Sequence, residues 1–183
     1  KLTATEIGTQ LKLPKATVFT TLSTLEAHNI VTKDQVGKYH IGPKLFQLGM
    51  AYVSDNSFVE LSKPYLKKLM KQTGFNVHLG VLHEDQVMYV AKMEPDSFIK
   101  FSTYPGLKTD LHISSLGKAI AAYLSGEELD RIIRKSGMSE HTPKTITTKE
   151  AFMKTLDFVR ENGYALEEEE GEIGVRCIGA PII

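Results

Sequence analysis

Cysteine is almost absent from this chain of 183 residues. Cys177 stands alone, so no internal disulfide can form, and a reducing compartment, the cytoplasm, is expected. No apolar run approaches the ~20 residues that a membrane helix needs. The start shows no secretory signal. Excess charge is missing too. The 22 basic and 22 acidic residues cancel, which argues against a generic polyanion binder. Internal repeats and low-complexity tracts are not found. The six histidines (His28, His40, His78, His83, His112 and His141) are scattered without ligand spacing, so no metal site is read. No cofactor is expected. Gly117-Lys118 has the look of a phosphate-binding loop. That motif fails because position 112 is His rather than Gly and position 119 is Ala rather than Ser or Thr.

What is present is informative at the start. Thr3 and Glu6 stand at capping-box spacing and open a short helix with Ile7 and Leu11 on one face. Leu13-Pro14 breaks it. Pro14 suits the first turn of a second helix, in which Val18, Leu22 and Leu25 form the buried stripe. The remaining surface of that helix carries Lys15, Thr17, Thr20, Thr21 and Thr24. Threonine is a mediocre helix former. Short hydroxyls with one lysine suit phosphates and base edges. Residues 30–33, a turn over 34–37, and residues 38–41 then predict a two-stranded ribbon with Lys38 at its tip. Helix, turn, helix and ribbon is the layout of a winged helix-turn-helix that reads DNA. An ordinary amphipathic hairpin with a polar face fits the same pattern. Residues 1–54 hold six lysines against three acids, a net +3, which leaves −3 for the remainder.

The rest reads as mixed α and β. A connecting helix is expected from Pro43 to about Ser54, and a second helix with Leu61, Tyr65, Leu66, Leu69 and Met70 on one face ends at Thr73-Gly74. A hairpin spans 77–82 and 86–91 around His83-Glu84-Asp85. A short strand at 98–101, a small-residue helix at 116–124 and late strands at 164–166 and 175–178 follow. Ser125/Glu128 and Thr147/Glu150 predict two further capping boxes. Glu168 to Glu170 read as a solvated face. On a continuing strand, Glu167 and Glu168 would face opposite sides, so one could point inward. Cys177 beside Arg176 is either an activated thiolate or, more commonly for a free cysteine, a small hydrophobe.

Several segments together carry a resemblance. In the head they are Leu13-Pro14-Lys15-Ala16-Thr17-Val18, Leu22-Ser23-Thr24-Leu25-Glu26, Gly37-Lys38-Tyr39 and Ile41-Gly42-Pro43. In the body they are residues 111–119, residues 142–147, and the run from Gly163-Tyr164-Ala165 through Gly174-Val175-Arg176-Cys177. With these segments the chain resembles the IclR family of bacterial transcriptional regulators essentially end to end. Ala16, Thr20 and Glu167 depart from the family pattern, which often has Ser, a basic residue and Asp there.

The resemblance implies an α+β chain. It consists of a winged helix-turn-helix over residues 1–42, a linker helix over 43–57, and a GAF/PAS-like effector domain with a curved antiparallel sheet over 58–183. Both ends look cut short. The first helix of the head is absent, and the closing strand and C-terminal helix lie beyond Ile183. The implied partners are operator DNA, a second or further copies in a dimer or tetramer, and a small carboxylate effector. DNA would be held by Lys15, Thr17, Thr20, Thr21 and Lys38. The effector would be held by Phe98, Phe101, Ser115, Leu116, Glu167, Val175 and Cys177. Ser115 is expected at a helix start, where free amides favour a carboxylate. Phe98 and Phe101 serve equally well as plain core. Glu167 beside an anion needs a proton, a hydroxyl donor or a water. The expected function is ligand-controlled DNA binding, with no enzymatic activity. The alternative is a small-molecule enzyme or sensor of the same fold.

Overall fold

A computed structural model describes residues 1–55, 57–96 and 102–183. The chain forms two compact units, Lys1–Leu61 and Ser62–Ile183. It is mixed α and β, and its sheets are antiparallel.

The first unit is small. β1 (Leu2–Thr3) leads into α1 (Ala4–Leu11) through the expected capping box. The Thr3 amide donates to Glu6 Oε2 at 2.7 Å and the Glu6 amide to Thr3 Oγ1 at 3.3 Å. Lys12 ends the helix in the left-handed region. α2 (Lys15–Ala27) follows. Pro14 caps it from the N-cap position instead of sitting in its first turn, with ψ 140°, too extended for a helix. Val18, Leu22 and Tyr39 form the core, with Ala4, Ile7 and Val31 against it. Leu25 is only half-buried and Leu11 is exposed. β2 (Val31–Lys33) and β3 (Lys38–Ile41) form the ribbon. It is three-stranded rather than two-stranded, in the order β1-β3-β2, because Leu2-Thr3 pairs with Tyr39 and Lys38. The Asp34 carboxylate shapes the turn. It accepts from the amides of Val36 at 3.1 Å and Lys38 at 2.8 Å, and meets the His40 ring at 2.7 Å. α3 (Pro43–Asp55) completes this unit.

α4 (Ser57–Thr73) crosses the unit boundary. Val59 and Leu66 are buried, whereas Leu61, Tyr65 and Leu69, expected on the inward face, are exposed. Leu61 and Tyr65 lie more than a quarter-turn around the axis from Val59 and Leu66, and Leu69 lies on the margin of the buried flank, roughly 60–80° away.

In the second unit β4 (Val77–His83) and β5 (Gln86–Met93) make a hairpin, and β6 (Lys108–Thr109) extends it. Glu84 and Asp85 at the turn have φ of 49° and 71°, as a two-residue type I′ connection requires. Neither is glycine, so the turn carries strain. Arg131 and Lys135 of α6 (Gly126–Ser136) hold it closed with three charged hydrogen bonds to Asp85, at 2.6 to 3.0 Å. These bonds lower the Asp85 pKa to about 2.

The core gathers Val87, Leu111, Leu129, Ile132, Phe152, Leu156 and Val159 around α5 (Ser115–Ala121) and α7 (Lys149–Asn162). Two helix starts differ from the sequence expectation by one residue. Ser114, not Ser115, is the N-cap of α5, and Thr148, not Thr147, is the N-cap of α7. Their hydroxyls accept from the Gly117 and Ala151 amides. Adjacent hydroxyls give the sequence no means to choose between them. α5 also stops at Ala121 and not at Leu124. β7 (Ala165–Glu168) and β8 (Arg176–Gly179) pair in a second sheet.

α5 touches β4, β5, β7, β8 and α7, so both sheets of this unit meet it. Its small residues permit that approach. A Cβ at Gly117 would strike the Leu111 backbone. Alanine normally favours a helix over glycine by about 1 kcal/mol. The collision reverses that sign at Gly117, whereas Gly126 faces open space. Thermal denaturation of Gly117→Ala is therefore expected to show a fall in melting temperature of several degrees, as a loss on the order of 1–2 kcal/mol produces. Gly126→Ala is expected to leave it unchanged or raise it. Equal behaviour of the two variants contradicts this packing.

Candidate functional site

Two groups of residues merit attention, one in each unit. In the first, Val18 and Leu22 turn one side of α2 inward, which leaves Lys15, Thr17, Thr20 and Thr21 all exposed. The Thr24 hydroxyl donates to the Thr20 carbonyl at 3.0 Å, whereas the hydroxyls of Thr17 and Thr21 remain on the open face. Lys38 is exposed, but it is the first residue of β3 rather than the tip of the ribbon. Its amide is already committed to Asp34, which draws it into the ladder.

In the second unit, Ser115, Leu116, Glu167 and Cys177 come together. Glu167 and Cys177 face each other across the β7–β8 ladder. A Cβ at Gly179 would lie 2.7 Å from the Ser115 carbonyl carbon and oxygen, so the end of β8 rests on the start of α5. A Cβ at Gly80 would lie 3.1 Å from Leu116 Cδ1, so the Leu116 side chain lies against β4. Ser115 is 4% exposed and Leu116 half-buried. Val175 is half-buried in the turn before β8. Phe98 and Phe101, with the strand expected around them, lie outside the described residues.

Glu167 is the inward member of its pair: it is 3% exposed, and Glu168 is exposed. Burial pushes its carboxyl pKa above the usual range, against hydrogen bonds from the Gly171 amide at 3.2 Å and from the Cys177 thiol. Cys177 is exposed as a residue. Its thiol, however, is desolvated and hydrogen-bonded to Glu167, and its pKa is pushed up to about 12. A thiol this far above neutrality is a donor and not a nucleophile. Arg176 does not activate it.

Two residues on this side of the hairpin escape sequence reasoning. Tyr89 stands opposite Gly80, and burial, followed by the charges of Cys177 and Glu167, raises its phenol. His78 packs edge-on against Tyr89 with ring centroids 5.2 Å apart, and its Nε2 meets Thr103 Oγ1 at 2.7 Å. Burial and the Lys92 charge lower the His78 pKa, so it is neutral at physiological pH. A hairpin register is required to find this pair.

Glu170 corrects the expectation of a solvated acidic face: it is 8% exposed. Lys118, 1% exposed, donates to Glu170 Oε1 and, at 2.8 Å, to the Leu166 carbonyl. The other oxygen, Glu170 Oε2, accepts from the Glu168 amide. The Thr142 hydroxyl donates to the Glu169 carbonyl at 2.6 Å, and the Thr145 hydroxyl to the Glu170 carbonyl at 2.7 Å. The end of the acidic run at Glu170 is thus folded inward by an ammonium ion and two hydroxyls that lie far from it in sequence, while Glu168 stays exposed as expected. A shallow hollow between Asp110, His112, Ser136 and Phe152 lies apart from these residues. With room for one water at most, about 10 Å³, it fits no metabolite. Among the described residues no cluster of His, Cys, Asp or Glu could hold a metal ion, and no helix is long and apolar enough to cross a membrane.

Comparison with known proteins gives this geometry a context. Residues 50–183 match the family model for the bacterial transcriptional regulator IclR C-terminal domain. The chain is 36% identical over 182 residues to the HTH-type transcriptional regulator BhcR of Paracoccus denitrificans, covering 99% of this chain and 65% of BhcR. It is 32% identical over 178 residues to the HTH-type transcriptional repressor AllR of Escherichia coli, covering 97% of this chain and 66% of AllR. The chain thus spans slightly less than two thirds of these curated relatives. Among solved structures, it resembles a double mutant of the inducer-binding domain of the transcription factor PobR from Acinetobacter, in complex with 3-hydroxybenzoic acid. The TM-score is 0.62 at 32% identity, over 68% of this chain and 73% of that one. The chain therefore belongs to the IclR family of bacterial transcriptional regulators.

Proposed function

We propose that this protein is a DNA-binding transcriptional regulator whose operator affinity is set by a small organic acid or sugar acid. It has no enzymatic role and acts in the cytoplasm, where its DNA is. The observation that carries the reading is the exposed Lys15/Thr17/Thr20/Thr21 face of α2, held outward by Val18 and Leu22 and followed by an antiparallel ribbon. The alignment with HTH-type regulators over nearly the whole chain supports it. In this reading residues 1–42 are a winged helix-turn-helix, residues 43–57 a linker, and residues 58–183 a GAF/PAS-like effector domain. α2 enters the major groove and Lys38 approaches the backbone from the wing. The exposed Leu45, Phe46, Met50 and Tyr52 of α3 support self-association into a dimer or tetramer.

The effector lies among Ser115, Leu116, Glu167, Val175 and Cys177, with Phe98 and Phe101 completing an apolar wall. The buried Glu167, paired with Cys177 across the β7–β8 ladder, supports this placement, and so does the acid bound by the PobR domain. A protonated Glu167 supplies a donor to an anionic ligand, and the Cys177 thiol, which hydrogen-bonds Glu167, holds it in place. α5 is only seven residues long and its Gly117 amide is already capped by Ser114, so side-chain donors carry more of the recognition than the helix end.

Three outcomes follow from this reading. Lys15→Ala weakens binding to all DNA sequences and lowers the salt slope by roughly 0.9, the loss of one phosphate contact. Thr17→Ala or Thr21→Ala instead changes base preference, by about 1–3 kcal/mol at the contacted step. Gel shifts across a salt series and a randomised half-site separate the two effects, and the absence of any specific operator sinks the reading.

Leu116→Trp fills the effector space. It is expected to abolish the effector response, a coupling on the order of 1–3 kcal/mol, while operator binding is kept. Equal effector affinity in variant and wild type, measured by calorimetry, places the ligand elsewhere.

The third outcome concerns pH. Because burial raises the Glu167 pKa, the folded protein holds this proton to a higher pH than a free glutamate. An anionic effector beside it requires that proton. Affinity therefore rises as pH falls through the raised pKa and declines above it, by up to tenfold per pH unit. Glu167→Gln flattens the profile. A flat wild-type profile between about pH 5 and 8 removes Glu167 from the effector contacts.

A further inference from the structure

We propose that Tyr89 is a specificity-determining residue of the effector site, its phenol O–H donating a hydrogen bond to a second oxygen function of a small hydroxy or oxo acid. The inference rests on the effector reading above, to which it adds a residue from the other sheet. Tyr89 lies on β5 and pairs with Gly80 of β4. Residues directly opposite in an antiparallel pair share a face, and so do residues two apart on one strand. Tyr89 therefore shares its face with Gly80 and with the fully buried Val87. A Cβ at Gly80 would lie 2.7 Å from Val87 Cγ1 and 3.1 Å from Leu116 Cδ1. This face of the hairpin thus lies against the start of α5, beside Leu116. The Tyr89 backbone is fixed on its other edge as well. Its amide donates to the Leu107 carbonyl at 2.9 Å, and its carbonyl accepts from the Gly106 amide at 2.7 Å. His78 packs edge-on against the ring.

The ring is half-buried, and among the described residues its hydroxyl has no hydrogen-bond partner. A hydroxyl partly withdrawn from water without a partner works against folding, and phenylalanine would pack there without that cost. The hydroxyl therefore points to a partner met in binding. Burial, followed by the charges of Cys177 and Glu167, raises the phenol above its ordinary value, so it stays protonated and a donor throughout the physiological range. The influence of those two groups agrees with a hydroxyl turned toward the Glu167–Cys177 pair. Tyr89 and Glu167 then supply one donor from each of the two sheets that meet α5. A ligand reached by both presents an oxygen on either side, its carboxylate to protonated Glu167 and a hydroxyl or carbonyl to Tyr89. An acid with an apolar chain leaves the phenol unpaired. A site built around a hydrogen bond rejects an analogue that lacks it more strongly than an apolar pocket rejects a misfit.

The test measures five acids by calorimetry on the intact wild-type protein and on Y89F. Lactate and pyruvate are compared with propionate, and 3-hydroxybenzoate with benzoate, so that the members of a set differ by a single oxygen function. The wild type is expected to bind at least one oxygenated acid about tenfold more tightly than its unsubstituted counterpart, as one hydrogen bond to a desolvated group allows. Y89F erases that preference by weakening the oxygenated acid alone. The rise in affinity at low pH that Glu167 confers persists in Y89F, which tells the two donors apart. Y89F melts at the wild-type temperature or above it, since its hydroxyl has no protein partner to lose. A preference that survives in Y89F overturns the inference, and so does a wild type with no preference. An equal loss for both members of a set also overturns it and makes Tyr89 a packing residue, as does a lower melting temperature, which gives the hydroxyl a structural bond. Failure of all five acids to bind the wild type overturns the small-acid reading itself, a result distinct from these.

Discussion

The second unit depends on one buried cation. Lys118 stands in the middle of α5 at 1% exposure, where an unpaired ammonium ion is not tolerated. Its charge is met by Glu170, and a further proton goes to the Leu166 carbonyl. Both partners come from the β7 region, some fifty residues later. Pairs of this kind add little to stability against an apolar alternative, yet removing one partner costs about 3–5 kcal/mol. The consequence is geometric. The loop after β7 must fold back over α5, and its Gly171 amide reaches the inward Glu167 carboxyl of β7. Thr142 and Thr145 then bind the same loop through its carbonyls.

That arrangement makes α5 the common support of the candidate effector residues. Ser115 and Leu116 are its first two residues, Gly179 of β8 rests on them, and Gly80 of β4 lies against Leu116. Such packing is close to rigid, because interiors at crystal-like density do not deform smoothly. A ligand that displaces Leu116 or Glu167 therefore presses on both sheets and on the Lys118 ion pair together. This is the physical basis on which a small molecule could bias two arrangements of the proposed regulator.

Much of the first unit was legible from its residues. The Thr3/Glu6 box, the Val18–Leu22 stripe and the Asp34–Gly37 turn are all set by neighbours within a few positions, and local rules read such features well. β1 was missed because two residues carry no periodicity, and only pairing with β3 makes them a strand. In the second unit the hairpin, both late strands and the helix of small residues were legible for the same local reasons. The choice between adjacent hydroxyls as caps at Ser114 and Thr148 was not.

Residue spacing, composition and motif were enough for the main helices and hairpins, though not for β1 or β6, and for the even division of charge into a basic beginning and an acidic remainder, and for the family. All three survive without coordinates. Tertiary structure alone decided that Glu170 is buried while Glu168 is not, that Lys118 is a core residue, and that Cys177 is a protonated donor facing Glu167. It also decided that Leu61, Tyr65 and Leu69 of α4 are exposed. Each is a question of what lies opposite a side chain across a long stretch of chain. Desolvation and pairing set the answer, and neither has a local signature in an acidic run, a Gly-Lys pair or a lone cysteine.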